Sequence, residues 1–161
     1  MQFVAFALLS SVIEAKTIKC PQRDSLFSIT IPDSWGTKWE SDGSLTCMPR
    51  NHSKYVSVIP SENVGSTTEL GKQLSKTAQA AGRNAGMKDL KLGPLREMSG
   101  SHGFSLLSIN AQGTAGGRPM MFTLVGFAPI KDNSFTVIGL EPAGTRDKEI
   151  GAIVNSISKE R

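Results

Sequence analysis

Three long apolar segments separated by two breaks of turn-forming residues constrain this chain more than any other feature. Phe104–Asn110, Met120–Phe127 and Ser134–Leu140 are rich in aromatic and β-branched side chains. The first break holds Gly113, Gly116 and Gly117 and the second Lys131, Asp132 and Asn133, types that accept left-handed backbone angles or cap their own amides. This pattern spells an antiparallel meander between His102 and Leu140. Both side-chain rows of its middle strand are apolar, with Phe122 and Leu124 in one and Met121, Val125 and Phe127 in the other. Neither face of such a sheet can be left in water, so helices are expected over both, giving an α+β fold of the α/β/α sandwich type.

The flanking segments supply more of the same sheet and two helices. Leu26–Ile31 alternates Phe27, Ile29 and Ile31 with Ser28 and Thr30, the period of a half-buried strand, and Pro32–Trp35 ends it in a turn. Asp42-Gly43, between Lys38–Ser41 and Ser44–Cys47, is the strongest hairpin signal in the chain. Lys54–Ile59 reads as a strand stopped by Pro60, and Leu90–Met98 as an edge strand broken at Gly93-Pro94. Ser66 and Glu69 have capping-box spacing, and Leu70, Leu74, Ala78, Ala81 and Ala85 form one stripe before a stop at Gly86. Near the end, Thr145 is the expected N-cap, with Asp147 and Glu149 in the first turn, of a helix whose stripe is Ile150, Ile153, Val154 and Ile157; this helix is expected over the meander.

A chain of 161 residues suits one core. Its net charge of +4 favours acidic partners, yet the Lys and Arg residues are scattered singly with no aromatic interleaving, which argues against nucleic acid. Phe3–Ile13 is an apolar run of signal-peptide length, too short for a span of about twenty residues, followed by a small residue at Ala15. The expected division is a signal peptide over 1–15, an N-terminal arm over 16–25 and a single domain over 26–161, in a periplasmic or secreted protein. No Lys or Arg stands before the run and Ile13 is bulky for its place before the cut, so a buried first strand or helix is the alternative. Cys20 and Cys47 are the only cysteines, and an even pair after a signal-like segment points to one disulfide; two free thiols are the reading for a cytosolic chain. Thr17–Lys19, directly before Cys20, lacks the small apolar residues of a lipoprotein signal, so no lipid anchor is expected, and no CxxC pair supports zinc or redox exchange.

Residues with possible chemistry are few. His102 lies in a Ser-Gly-Ser-His-Gly run outside any nucleophile elbow and reads as part of a turn; His52, the other histidine, has no further ligand at metal spacing. Gly113–Arg118 resembles a phosphate cradle, but a strand and not a helix follows it, which makes it a hairpin tip. No cofactor or metal is expected. Trp35 and Trp39 are the first choice for a partner-binding surface and the glycine-rich edge at Arg118 the second, because tryptophan and arginine at a rim are what interfaces select.

Taken in order, a strand ending in Ile31–Trp35, a hairpin, a strand, a long helix, a meander containing Asn133–Phe135 and a closing helix with Ile153–Ile157 resembles the PsbP-like superfamily, which includes the photosystem II extrinsic protein and DcrB-like bacterial envelope proteins. The resemblance covers about Ser25 to Ser158. It implies an α/β/α sandwich and a non-catalytic accessory or assembly protein that works by protein–protein contacts. Two other readings stand beside it: a cytosolic chaperone of the same fold for secreted effectors, and a small hydrolase using His102.

Overall fold

Residues 14–61, 66–98, 102–146 and 148–160 are described by the computed structural model, so the apolar run 1–13, Ser99–Ser101 and Asp147 lie outside the described residues. The meander is the centre of a large antiparallel sheet. Its strands β3 (Gly36–Trp39), β4 (Leu45–Met48), β5 (Tyr55–Ser61), β6 (Lys88–Leu92), β8 (Leu106–Ala115), β9 (Arg118–Ile130) and β10 (Asn133–Pro142) lie in the order β3-β4-β5-β10-β9-β8-β6, and β7 (Arg96–Glu97) adds a short pair to β8. A second sheet of three strands, β1 (Ala15–Cys20), β2 (Phe27–Pro32) and β11 (Ser158–Lys159), has β2 in its middle. The helices are α1 (Thr67–Asn84) and α2 (Glu149–Asn155).

Local chemistry accounts for most of these boundaries. Ala115 pairs with Arg118, so the β8–β9 turn is the two-residue Gly116-Gly117, both with positive φ (57° and 75°), as the right-handed twist of a hairpin demands. In the Asp42-Gly43 hairpin, the Ser44 amide and hydroxyl donate to Asp42 Oδ1 at 2.9 and 2.6 Å, which holds that carboxyl below its usual pKa. Pro60 does not stop β5. It sits past the end of β4, which pairs only with Val56–Val58, and there β5 has a neighbour on one side alone, where a strand tolerates proline. The Ser66 hydroxyl accepts from the Glu69 amide at 3.2 Å, and Gly86 takes the left-handed stop at φ 65°.

Both rows of β9 are buried, as expected, but they lie in two separate cores and not in the single one expected. Phe122 and Leu124 join Leu107, Ile109, Ala111 and Ile138 beneath Leu70, Leu74 and Ala78 of α1. Val125 and Phe127 face the other way and pack with Val137, Val56 and Leu45 against Phe27, Ile29 and Ile31 of β2. Phe27 forms the seam, its ring edge-on to Phe127 at 4.8 Å and to Phe135 at 4.9 Å. The fold is therefore α+β, but helices do not cover both faces of the sheet. The second face is covered chiefly by the three-stranded sheet, with α2 filling one end, where Ile150 packs on the bare backbone of Gly139. The second helix begins later than expected because the Thr145 hydroxyl donates to the Pro142 carbonyl at 2.6 Å and caps a turn instead.

The expected disulfide is absent. Cys20 and Cys47 are free thiols, both buried in the core between the sheets, and Cys20 Sγ points to the Ile18 carbonyl at 3.9 Å. Burial pushes each thiol up to about 12, with the nearby Cys47 adding to the shift at Cys20, so both stay neutral and behave as small apolar groups. The segment before Leu26 is also more than an arm, since Ala15–Cys20 pairs in full register with β2 from Ala15↔Pro32 to Cys20↔Phe27.

Candidate functional site

Helix α1 does not sit centrally on its sheet. It packs on β6, β8 and β9, and two of its glycines bring it close to that edge: a Cβ at Gly71 would meet Leu95 at 2.6 Å and one at Gly82 would meet Leu90 at 2.7 Å. The opposite flank of the helix, carrying Ala81, Asn84 and Ala85, therefore faces a stretch of sheet that no other element among the described residues covers. There Thr46 and Met48 of β4, Tyr55, Ser57 and Ile59 of β5, and Ile138 and Leu140 of β10 form the floor of a cleft of about 660 Å³. None of its lining residues carries a charge. Tyr55 is half-buried, and that burial raises the pKa of its phenol, leaving it a neutral hydrogen-bond donor over the physiological range. A cleft of this volume with an apolar floor and a few hydroxyl and amide groups is the usual form of a ligand site. The lining offers hydroxyl, amide and apolar groups and no charged side chain.

The residues singled out from sequence lie elsewhere. Trp35 is 2% exposed and inside the core between the sheets; its ring lies 6.0 Å from the Lys54 ammonium and its carbonyl accepts from Lys16 Nζ at 2.8 Å. Trp39 is half-buried at the end of β3 against the same core. Arg118 is exposed at the β8–β9 turn, and the ladder running from Trp39 through Leu45, Val58 and Val137 to Val125 leaves it at the far end of β9. The three do not converge. His102 is 7% exposed, with Nδ1 2.6 Å from the Ile157 carbonyl, while its own carbonyl accepts from the Lys159 amide. This places it as a clasp on the C-terminal strand. His52 is an exposed turn residue at φ 52°. Among the described residues no group of three His, Cys, Asp or Glu side chains is arranged to hold a metal ion.

Sequence reasoning missed the cleft because it depends on where α1 lies across the sheet. The available signals were the glycines at 71 and 82 on one flank of the helix and small residues on the other.

No protein-family model matches the sequence, and no curated protein matches it. Solved structures do share its fold. A protein of Bacteroides thetaiotaomicron superposes with a TM-score of 0.62 at 12% identity, covering 91% of this chain, which spans about half (48%) of that longer one. LpqN of Mycobacterium tuberculosis, described as involved in cell envelope biogenesis, superposes with a TM-score of 0.53 at 11% identity over 91% of this chain and 92% of its own. Identities this low establish fold alone. Neither structure is described as PsbP-like, so the architecture is an α+β fold shared with a protein involved in cell envelope biogenesis, and no helix among the described residues is long and apolar enough to cross a membrane.

Proposed function

We propose that this chain is an exported, non-catalytic accessory protein of the cell envelope that acts through contacts with other proteins. The observation that carries the reading is the shared fold with LpqN over nearly the whole of both chains. The signal-like run Phe3–Ile13 supports the same address. Non-catalysis is favoured because His102 is 7% exposed, rests its Nδ1 on the Ile157 carbonyl and lies outside the lining of the cleft beside α1.

A second reading is the cytosolic chaperone of the same fold, and one observation favours it: Cys20 and Cys47 are free thiols, the state cysteines keep in a reducing compartment. Fractionating cells that carry the full chain with a C-terminal tag, and sequencing the N-terminus of the product, separates the two. Export predicts envelope-fraction protein beginning at or near Lys16 and cross-linking to envelope proteins. Uncleaved protein in the cytosol would overturn that and leave the chaperone.

A further inference from the structure

We propose that the cleft beside α1 is a binding site for an uncharged, largely apolar small molecule that carries a hydrogen-bonding group at one end. The proposal does not depend on export or on protein contacts, and it starts from the construction of the helix. Leu90 and Leu95 rest on the bare backbone of Gly82 and Gly71, so α1 is drawn toward β6 and the short strand β7. On the other side its wall is made of Ala81 and Ala85, side chains too short to reach the floor. A continuous helix–sheet contact would have filled this space with a leucine, and instead about 660 Å³ stays open.

The chemistry of the lining decides the class of ligand. Met48, Ile59, Ile138 and Leu140 present apolar surface, and burying a ligand's hydrocarbon there is worth about 25 cal/mol per Å². An ionised ligand would lose its hydration against these walls and find no counter-charge in the lining, and the charges on the neighbouring edge, Lys38 and Glu40, are paired with each other at 3.0 Å. Polar recognition is concentrated instead on neutral groups: the Tyr55 hydroxyl at the Met48–Leu140 end, the Asn84 amide on the helix, and the Thr46 and Ser57 hydroxyls. Methionine on the floor lets the site adapt to ligand shape.

Tyr55 is the only tyrosine in the chain, so it reports on this cleft alone. The full chain, labelled with 3-fluorotyrosine, is titrated with the neutral probe N-phenyl-1-naphthylamine and with its anionic relative 8-anilinonaphthalene-1-sulfonate, following the single fluorine resonance and probe fluorescence together. The expected result is a saturable shift of the Tyr55 signal with the neutral probe, at least tenfold tighter than with the anion. Ser57→Trp, a substitution that suits a strand and fills the cleft, is expected to abolish the shift and weaken the neutral probe tenfold or more, while Thr17→Trp on the exposed face of β1 leaves both unchanged. If Ser57→Trp does not fold, the wild-type titration decides by itself. A Tyr55 signal indifferent to the neutral probe, equal affinity for the two probes, or probe binding that survives in a folded Ser57→Trp chain overturns the proposal.

Discussion

Single side chains settle the protein's redox and pH behaviour. Cys20 and Cys47 are each held near 12 by burial, three units above the ordinary value of 9.0, because ionisation would place a charge in the core shared by the two sheets. The folded state thus holds the thiol protons more tightly than the unfolded state. The stability this confers is fully present below pH 9 and is lost as pH rises from 9 toward 12. Two outcomes are expected. Maleimide leaves native protein unlabelled at neutral pH and labels both thiols after denaturation, and the melting temperature falls more steeply above pH 9 in the wild type than in a Cys20→Ala/Cys47→Ala chain. Rapid labelling of the native protein would show that the thiols are not held in the core. The same residues mark a limit of sequence reasoning: an even cysteine count and a nearby signal-like run spell a bridge, whereas both side chains serve as apolar filling, a difference set by packing partners in β2, β5 and β9 that composition does not encode. Trp35 teaches the same lesson, since a ring beside a proline turn reads equally as a surface platform or as a core lid, and the position of Lys54 and β2 makes it the lid.

At the scale of elements, legibility follows how local the cause is. Ser66, Glu69 and Gly86 bound α1, Asp42-Gly43 and Gly116-Gly117 make their hairpins, and the double apolar row of β9 anticipates burial on both faces; each depends on neighbours within a few residues. The strands β1 and β11 were illegible because their partner is β2, with Ser28 and Ser158 joined at 3.2 Å across 130 residues. So was the true start of α2, whose N-cap is Lys148 at φ 53° with no side-chain cap. A seven-residue helix with such an end has little stability of its own and must be held by tertiary contacts. Ile150, Ile153 and Val154 supply the apolar part, and the Glu149 carboxylate meets the Lys54 ammonium at 2.5 Å beneath Trp35. Lys54 is only 8% exposed, so exchanging the carboxylate for an amide removes one anionic contact from a largely desolvated cation. Glu149→Gln is therefore expected to lower unfolding stability by about 2–4 kcal/mol in urea titration, and Lys54→Met added to it to recover most of that loss. If the double variant is no better than the single, the pair is not what secures α2.

The smaller sheet is completed by the first and last described strands. β1 and β11 flank β2, and without them the second face of the large sheet would be roofed by one strand and a short helix. Besides its ladder, β1 places Cys20 and part of Ile18 in the core between the sheets, and the Glu14 carbonyl accepts from the Asp33 amide at 2.9 Å just before the chain crosses to the large sheet. The proposed cut after Ala15 would keep Lys16–Cys20 of this strand, so the proposed export would not compete with folding for it. Removing the strand itself is another matter. A chain beginning at Pro21 loses the β1–β2 ladder, uncovers one edge of β2 and exposes core surface worth about 3 kcal/mol, comparable to a single large-to-small core substitution. In a domain of this size that is a fall in melting temperature of roughly 6–12 °C relative to a chain beginning at Glu14. The damage should be local in hydrogen exchange: amides of β2 and β11 lose protection, while β8 and β9, sealed on their other face by α1, and β10, paired on both sides by β5 and β9, keep theirs. The cleft beside α1 belongs to that second core, so Tyr55 should still respond to the neutral probe in the shortened chain. Equal melting temperatures for the two chains would show that β1 contributes no more than an arm; protection lost evenly across both sheets would show that the two cores fold as a single unit.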